Sequence, residues 1–310
     1  MPVIEANGIR LAYETEGKAS APPVVLVMGL GMPLVFWPEA FVAGLRRCSL
    51  FVVRLDNRDC GQSQRFAQAH HLPIPLAMAR SIMGLAVQAP YTLADMAADV
   101  VGLLDALKIA RAHVVGASLG GMVCQVLAAR WPDRVASLTS IMSGSGNPYV
   151  SVARPRALSA ILHRPEHPDD VGSVTDYLVH VMGVIGSAAY PADPAKLRAH
   201  CERVARRGYD AQGIARQMLA VLASGDRRAE LAGVRAPTLV IHGTDDPLIP
   251  KSAGREVARI IPGARLLEFD GMGHDLPEPL LAPIVDAIGA HIAGAGFGDG
   301  SAEPSRRTVP

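Results

Sequence analysis

His113-Val114-Val115-Gly116-Ala117-Ser118-Leu119-Gly120-Gly121 is the stretch on which the fold turns. Residues 112–115 form a short apolar run of strand character. Residues 119–130 carry a helical pattern that Pro132 closes. Between them stands G-x-S-x-G. A serine lodged between a buried strand and a helix sits on a sharp turn that lifts its hydroxyl off the sheet, as a nucleophile elbow requires. Small residues on either side let the backbone pack that tightly, and Gly121 permits close contact of helix and sheet. Ser118 is therefore the candidate nucleophile.

Outward from this turn, strands and helices alternate. Residues 24–28 and 50–55 are apolar runs without alternation, which suits strands buried on both faces of a parallel sheet. Residues 38–47 and 92–107 read as helices; in the latter Thr92 caps, Asp95 follows three residues on, and leucines recur at helical spacing. Later come strands at 135–142, 238–242 and 265–269, with helices at 252–260 and 280–292. At the start, Asn7-Gly8 between extended runs marks a hairpin. This alternation predicts an α/β fold, a mostly parallel sheet with helices on both faces. Residues 1–142 and 233–293 form the expected core. The proline-punctuated segment 143–232 reads as a helical cap insertion, and 294–310 as a disordered tail.

Composition narrows the function. The 310 residues carry 30 basic and 29 acidic side chains, so nothing points to a nucleic-acid partner. No run of about 18 apolar residues is present, so no membrane span is expected. The start of the chain lacks the basic flank and apolar stretch of a signal peptide, which predicts a cytoplasmic protein. Four scattered cysteines offer no C-x-x-C and no zinc spacing, so no metal is expected and the thiols should be buried or half-buried.

A serine hydroxyl needs a base, and the base needs an orienting carboxylate. His274 lies in a glycine-flanked loop, Gly271-Met272-Gly273-His274-Asp275, after the last strand. His242 is its rival, but it falls inside a strand and is expected to pack. Gly243-Thr244-Asp245-Asp246-Pro247 offers two aspartates after the preceding strand.

The order serine, aspartate, histidine resembles that of the α/β-hydrolase superfamily, and the likeness covers about residues 3–293. The segment G-x-x-D-x-x-I-P at 243–250 is similar to the acid loop of that family and selects Asp246 over Asp245. The resemblance also implies an oxyanion hole made by the amides of Leu119, just after the nucleophile, and of Leu30. The latter lies in Met28-Gly29-Leu30-Gly31, where the family usually has H-G. Asp56-Asn57-Arg58-Asp59-Cys60-Gly61-Gln62-Ser63 resembles the family's D-x-R-G-x-G-x-S, with Asp59 in place of a glycine. Both departures resemble the aclacinomycin methylesterase-like branch.

The resemblance implies a serine hydrolase that cleaves a carboxylic ester, methyl esters and lactones included, without a cofactor. Ser118 at the elbow excludes the dehalogenases and epoxide hydrolases of this fold, which use aspartate there. A carbon–carbon hydrolase or a cofactor-free haloperoxidase would use the same triad, and a ligand receptor would keep it as a slow remnant. The expected partner is a small apolar ester, and the expected assembly a monomer or homodimer. The apolar run 76–87 is expected either to line the substrate pocket, with Met83 and Leu85 against the ligand, or to cover the core. Trp37 and Trp131 are expected in the core, and Arg203, Arg206 and Arg207 on a solvated helix face.

Overall fold

A computed structural model describes residues 2–67 and 72–295. In chain order the elements are β1 (Val3–Ala6), β2 (Ile9–Glu16), β3 (Pro23–Val27), α1 (Glu39–Arg47), β4 (Phe51–Leu55), α2 (Ile74–Ile82), α3 (Leu93–Ala106), β5 (Ala112–Ala117), α4 (Leu119–Arg130) and β6 (Val135–Ile141). Five helices follow: α5 (Pro155–Leu162), α6 (Val171–Ile185), α7 (Pro194–Arg207), α8 (Ala211–Ser224) and α9 (Arg228–Leu231). The chain then returns to β7 (Thr238–Gly243), α10 (Lys251–Ile260), β8 (Arg265–Phe269) and α11 (Leu281–Ala295).

Among the described residues eight strands form one sheet in the order β1-β2-β4-β3-β5-β6-β7-β8. The β1–β2 and β2–β4 pairs are antiparallel, and the rest run parallel. Asn7 and Gly8 both adopt positive φ, 52° and 73°, as a two-residue hairpin turn with the twist of its strands demands. In α3 the Asp95 carboxylate accepts from the Thr92 backbone N–H at 2.7 Å, the reach-back expected of that pair.

The central strands alternate their apolar side chains between two cores. Val25, Val27, Val53 and Val114 face α3 and α4, with Leu103 and Val123 opposite. Val24, Leu26, Val52 and Val115 face α1 and α11, with Phe41, Ile284 and Ile288 opposite. This two-sided burial explains why those strands read as unbroken apolar runs. Trp37 is 0% exposed and stacks on Phe41 at 5.0 Å, and Trp131 packs against the first core.

Several expectations shift. The final helix runs through Gly294 and Ala295, so these two residues are not tail, and 296–310 lie outside the described residues. Cys48 is exposed, whereas Cys60, Cys124 and Cys201 are buried free thiols. Arg207 does not join a solvated face; it turns inward to Asp56, with its Nε 2.9 Å from Oδ2. Arg206 does stay outside, paired with Glu202 one turn earlier.

Candidate active site

The parallel strands deliver their C-terminal ends to one edge of the sheet, and α/β folds place ligands there. At the end of β5 the chain turns through Ser118, whose φ of 55° and ψ of −121° lie outside the regions ordinary residues favour. Two glycines make the turn possible. A Cβ on Gly116 would stand 2.2 Å from the Gly120 carbonyl oxygen, and one on Gly120 would stand 2.0 Å from that of Val27. The Ser118 N–H is tied to the Ile141 carbonyl of β6 at 2.9 Å, so the elbow is fixed from both neighbours.

His274 enters from the loop after β8. Its backbone N–H donates to the Ile185 carbonyl at the end of α6 (2.8 Å), and the N–H of Gly273 donates to Ser187 Oγ (2.8 Å). The ring places Nε2 3.0 Å from Ser118 Oγ and Nδ1 2.7 Å from Asp246 Oδ2. Asp246 is buried, and its other oxygen accepts from the N–H groups of Leu248 (2.9 Å) and Ile249 (2.8 Å). A carboxylate only accepts, so Nδ1 carries the proton, and in the neutral imidazole Nε2 presents its lone pair to the serine hydroxyl. Asp245, one residue away, is exposed; its backbone N–H donates to the Met272 carbonyl at 3.0 Å, and its carboxylate accepts from Thr244 Oγ1 at 3.4 Å.

His242 lies buried within β7, with Nε2 2.8 Å from the Ile249 carbonyl and 3.6 Å from Asp246 Oδ2. Burial, resisted by the nearby Asp246, pulls its pKa below the ordinary histidine value. A neutral His242 supports the acid loop from behind and leaves the cavity to His274.

The loop after β3 lies directly against the elbow: a Cβ on Gly29 would come within 3.2 Å of Ser118 Cβ. Leu30 and Leu119 both line the cavity beside Ser118. Among the described residues, neither backbone N–H donates to a protein acceptor outside regular secondary structure. Leu119 is the first residue of α4, where an N–H has no partner within the helix.

Ser118 and His274 open onto a cavity of about 850 Å³. Its walls come from the β3 loop, from α2, and from α5 to α8. Seven of the chain's eleven methionines line it, among them Met78, Met122, Met182 and Met218. Its far rim is polar, with His200 and Arg203 of α7 joined at 2.9 Å, and with a Lys196–Glu278 ion pair at 2.8 Å. Asp275, next to the histidine, also faces the cavity; burial raises its carboxyl pKa against the hydrogen bond it accepts from Ser187 Oγ.

Met83 and Leu85 require a correction. They are 63% and 48% exposed and lie off the cavity, because the run they belong to ends α2 and turns outward at Gly84. From that run only Met78 reaches the wall. Arg203 likewise belongs to the cavity rim and not simply to a solvated face. Sequence reading also missed Gln217, whose buried amide reaches the β3 loop, since nothing in an amphipathic helix marks one glutamine as inward. Among the described residues, no three His, Cys, Asp or Glu side chains converge as a metal site would require.

A parallel sheet, a strained serine at the elbow and a histidine and carboxylate behind it define the α/β hydrolases, and this chain belongs to that family. The family model for the alpha/beta hydrolase fold matches residues 22–162. The chain is 30% identical to rhodomycin D methylesterase DnrP of Streptomyces peucetius, across 94% of this chain and 98% of that protein. Among solved structures, the enol-lactonase from Burkholderia xenovorans LB400 superposes with a TM-score of 0.72 at 29% identity, covering 94% of this chain and all of that one. A meta-cleavage product hydrolase from Pseudomonas fluorescens IP01 reaches a TM-score of 0.75 at 18% identity, over 96% and 98% of the two chains, a likeness of fold. Within the family the chain is thus similar to the methylesterase branch, and it is a serine hydrolase acting on esters. Among the described residues no helix is long and apolar enough to cross a membrane.

Proposed function

We propose that this enzyme hydrolyses the methyl ester or lactone of a bulky apolar acid through an acyl-enzyme formed on Ser118. The observation that carries the reading is the unbroken chain Ser118 Oγ, His274, Asp246, at 3.0 and 2.7 Å, on the floor of an apolar cavity.

His274 Nε2 takes the serine proton as Oγ attacks the acyl carbon, and Asp246 steadies the imidazolium that results. In this reading the amides of Leu30 and Leu119 donate to the carbonyl oxygen as it gains negative charge, and they stabilise it there more than in the bound ester. The tetrahedral adduct collapses, the C–O bond breaks, and His274 returns the proton to the leaving alkoxide. Water then attacks the acyl-enzyme with His274 again as base, releasing the acid and restoring Ser118.

A volume of about 850 Å³ exceeds what an acetate ester fills and falls in the range of sites for drug-sized ligands. Flexible thioethers along the walls suit an irregular or aromatic acyl part. The methylesterase and enol-lactonase names of the relatives point to a small or internal alcohol as leaving group. Free thiols and no disulfide among the described residues support a reducing, cytoplasmic setting.

The test is Ser118→Ala with a series of p-nitrophenyl esters from acetate upward. The variant should fold and lose about 10⁴- to 10⁶-fold in kcat, because triad members act as a unit. In the wild type, kcat/KM should rise with acyl length. A fluorophosphonate that labels any residue other than Ser118 would overturn the mechanism, and a flat chain-length profile would overturn the substrate class.

A further inference from the structure

We propose that Gln217, on helix α8 of the segment above the sheet, is a positioning residue that aims the Leu30 N–H at the oxyanion. The inference rests on the reading of Leu30 as an oxyanion donor and extends it to a residue 187 positions away in sequence.

The Gly31 N–H donates to Gln217 Oε1 at 2.8 Å, and Gln217 Nε2 donates to the Arg58 carbonyl at 2.7 Å. The carboxamide is fully buried, and it spends one polar end on each of two loops. On the other side of Leu30, the Met28 carbonyl accepts from Asn57 Nδ2 at 2.9 Å. Leu30 is thus the span between two pinned peptide units. Gly31 holds a φ of 65°, and Ile214 of α8 fills the place its Cβ would take, with Cγ1 2.5 Å from that point. The turn is therefore shaped by helix α8 as well as by its own sequence.

The helix that does this is itself anchored. Arg216, beside Gln217, holds Asp59 with two contacts of 2.8 Å, and Arg58 holds Asp99 with two of 2.6 Å. The Arg58 carbonyl is then a fixed point against which the amide registers. Met218, next to Gln217, and Val221 and Leu222, one turn further on, line the cavity. Substrate wall and oxyanion loop hang on one rigid element. A donor that is misaimed costs stabilisation of the tetrahedral adduct and leaves ester binding almost untouched, because the negative oxygen exists only in that adduct.

The experiment is Gln217→Met, which removes both hydrogen bonds at similar volume. Steady-state kinetics on a p-nitrophenyl ester should show kcat lowered about 10- to 100-fold and KM within about threefold. Affinity for an alkyl boronic acid, which forms a tetrahedral adduct on the serine, should fall in parallel with kcat. Gln217→Glu keeps an oxygen toward the Gly31 N–H and should recover at least half of the lost log kcat. If Gln217→Met does not fold, Gln217→Asn, one methylene short of Gly31, carries the same comparison. A folded variant with kcat within threefold of wild type, a loss carried by KM alone, or unchanged boronate affinity overturns the proposal. Ser118→Ala is measured alongside. Its full loss beside an unaffected Gln217 variant overturns only the positioning role, whereas retained turnover in Ser118→Ala overturns the mechanism beneath it.

Discussion

Replacing Asp246 by asparagine changes one atom, and the surroundings dictate which way the new amide faces. Oδ1 of Asp246 accepts from two backbone N–H groups, at 2.9 and 2.8 Å. Turning the NH₂ toward them would leave two donors facing a donor, at about 1–3 kcal/mol for each unsatisfied group. The amide oxygen therefore stays with Leu248 and Ile249, and the NH₂ is presented to His274 Nδ1, 2.7 Å from the present oxygen. The imidazole must then accept at Nδ1 and carry its proton on Nε2, facing Ser118 Oγ with a hydrogen where a lone pair is needed. The wrong tautomer should lower kcat by about 10⁴-fold, near 5.5 kcal/mol of barrier. Single-turnover hydrolysis of a p-nitrophenyl ester reads the acylation rate directly, with thermal denaturation confirming the fold. Asp245→Asn, at an exposed site, should stay within about threefold of wild type. Equal losses in the two variants, or an Asp246→Asn enzyme within about 100-fold of wild type, would refute the tautomer argument.

Gly120→Ala drives a Cβ to within 2.0 Å of the Val27 carbonyl oxygen and should destabilise the fold by about 3 kcal/mol in urea denaturation. Gly183→Ala, on an exposed turn of α6 with nothing within 4 Å, should instead stabilise it by up to about 1 kcal/mol; a loss there would refute the steric reading. His113, inside β5 and 2.8 Å from Ser137 Oγ, has its pKa pulled down to about 4, chiefly by burial and further by His291 and Arg111. The unfolded chain then binds the extra proton first, so this contribution is complete above about pH 6.5 and fades as pH falls toward 4, by about 3 kcal/mol at most. His113→Gln should flatten that part of a stability–pH curve, and an unchanged slope would refute it.

The elbow was legible because its requirements are local. A buried strand, a tight turn and a helix follow one another within some twenty residues, and only glycine fits at 116 and 120. The hairpin at Asn7-Gly8 and the Thr92–Asp95 cap were readable for the same reason. The acid loop needed family likeness, since Asp245 and Asp246 differ only in which way the chain faces after β7. What sequence concealed were contacts across long separations. Arg206 and Arg207 are neighbours of identical chemistry, yet one ends in solvent and the other on Asp56, because a helical turn of 100° per residue separates them. Met83 and Leu85 looked like pocket residues because hydrophobicity says that a side chain is apolar and not what covers it. The thioethers that do form the wall come from six separate elements and loops, a convergence no sequence window contains.

A segment that leaves the core after β6 and rejoins it before β7 looks like a module that another enzyme of this fold could lend or borrow. The carboxylates of Asp56 and Asp59 forbid it. Both are buried, and their guanidinium partners, Arg207 and Arg216, arrive from α7 and α8. Lifting those helices away would strand two charges in the protein interior, each broken pair costing about 3–5 kcal/mol. A chimaera must therefore transplant residues 56–63 together with 207–217, two stretches that lie more than 140 positions apart. Any exchange of this segment is thus a discontinuous one, and its seam runs through the ion pairs and not through the two points where the chain leaves and rejoins the core.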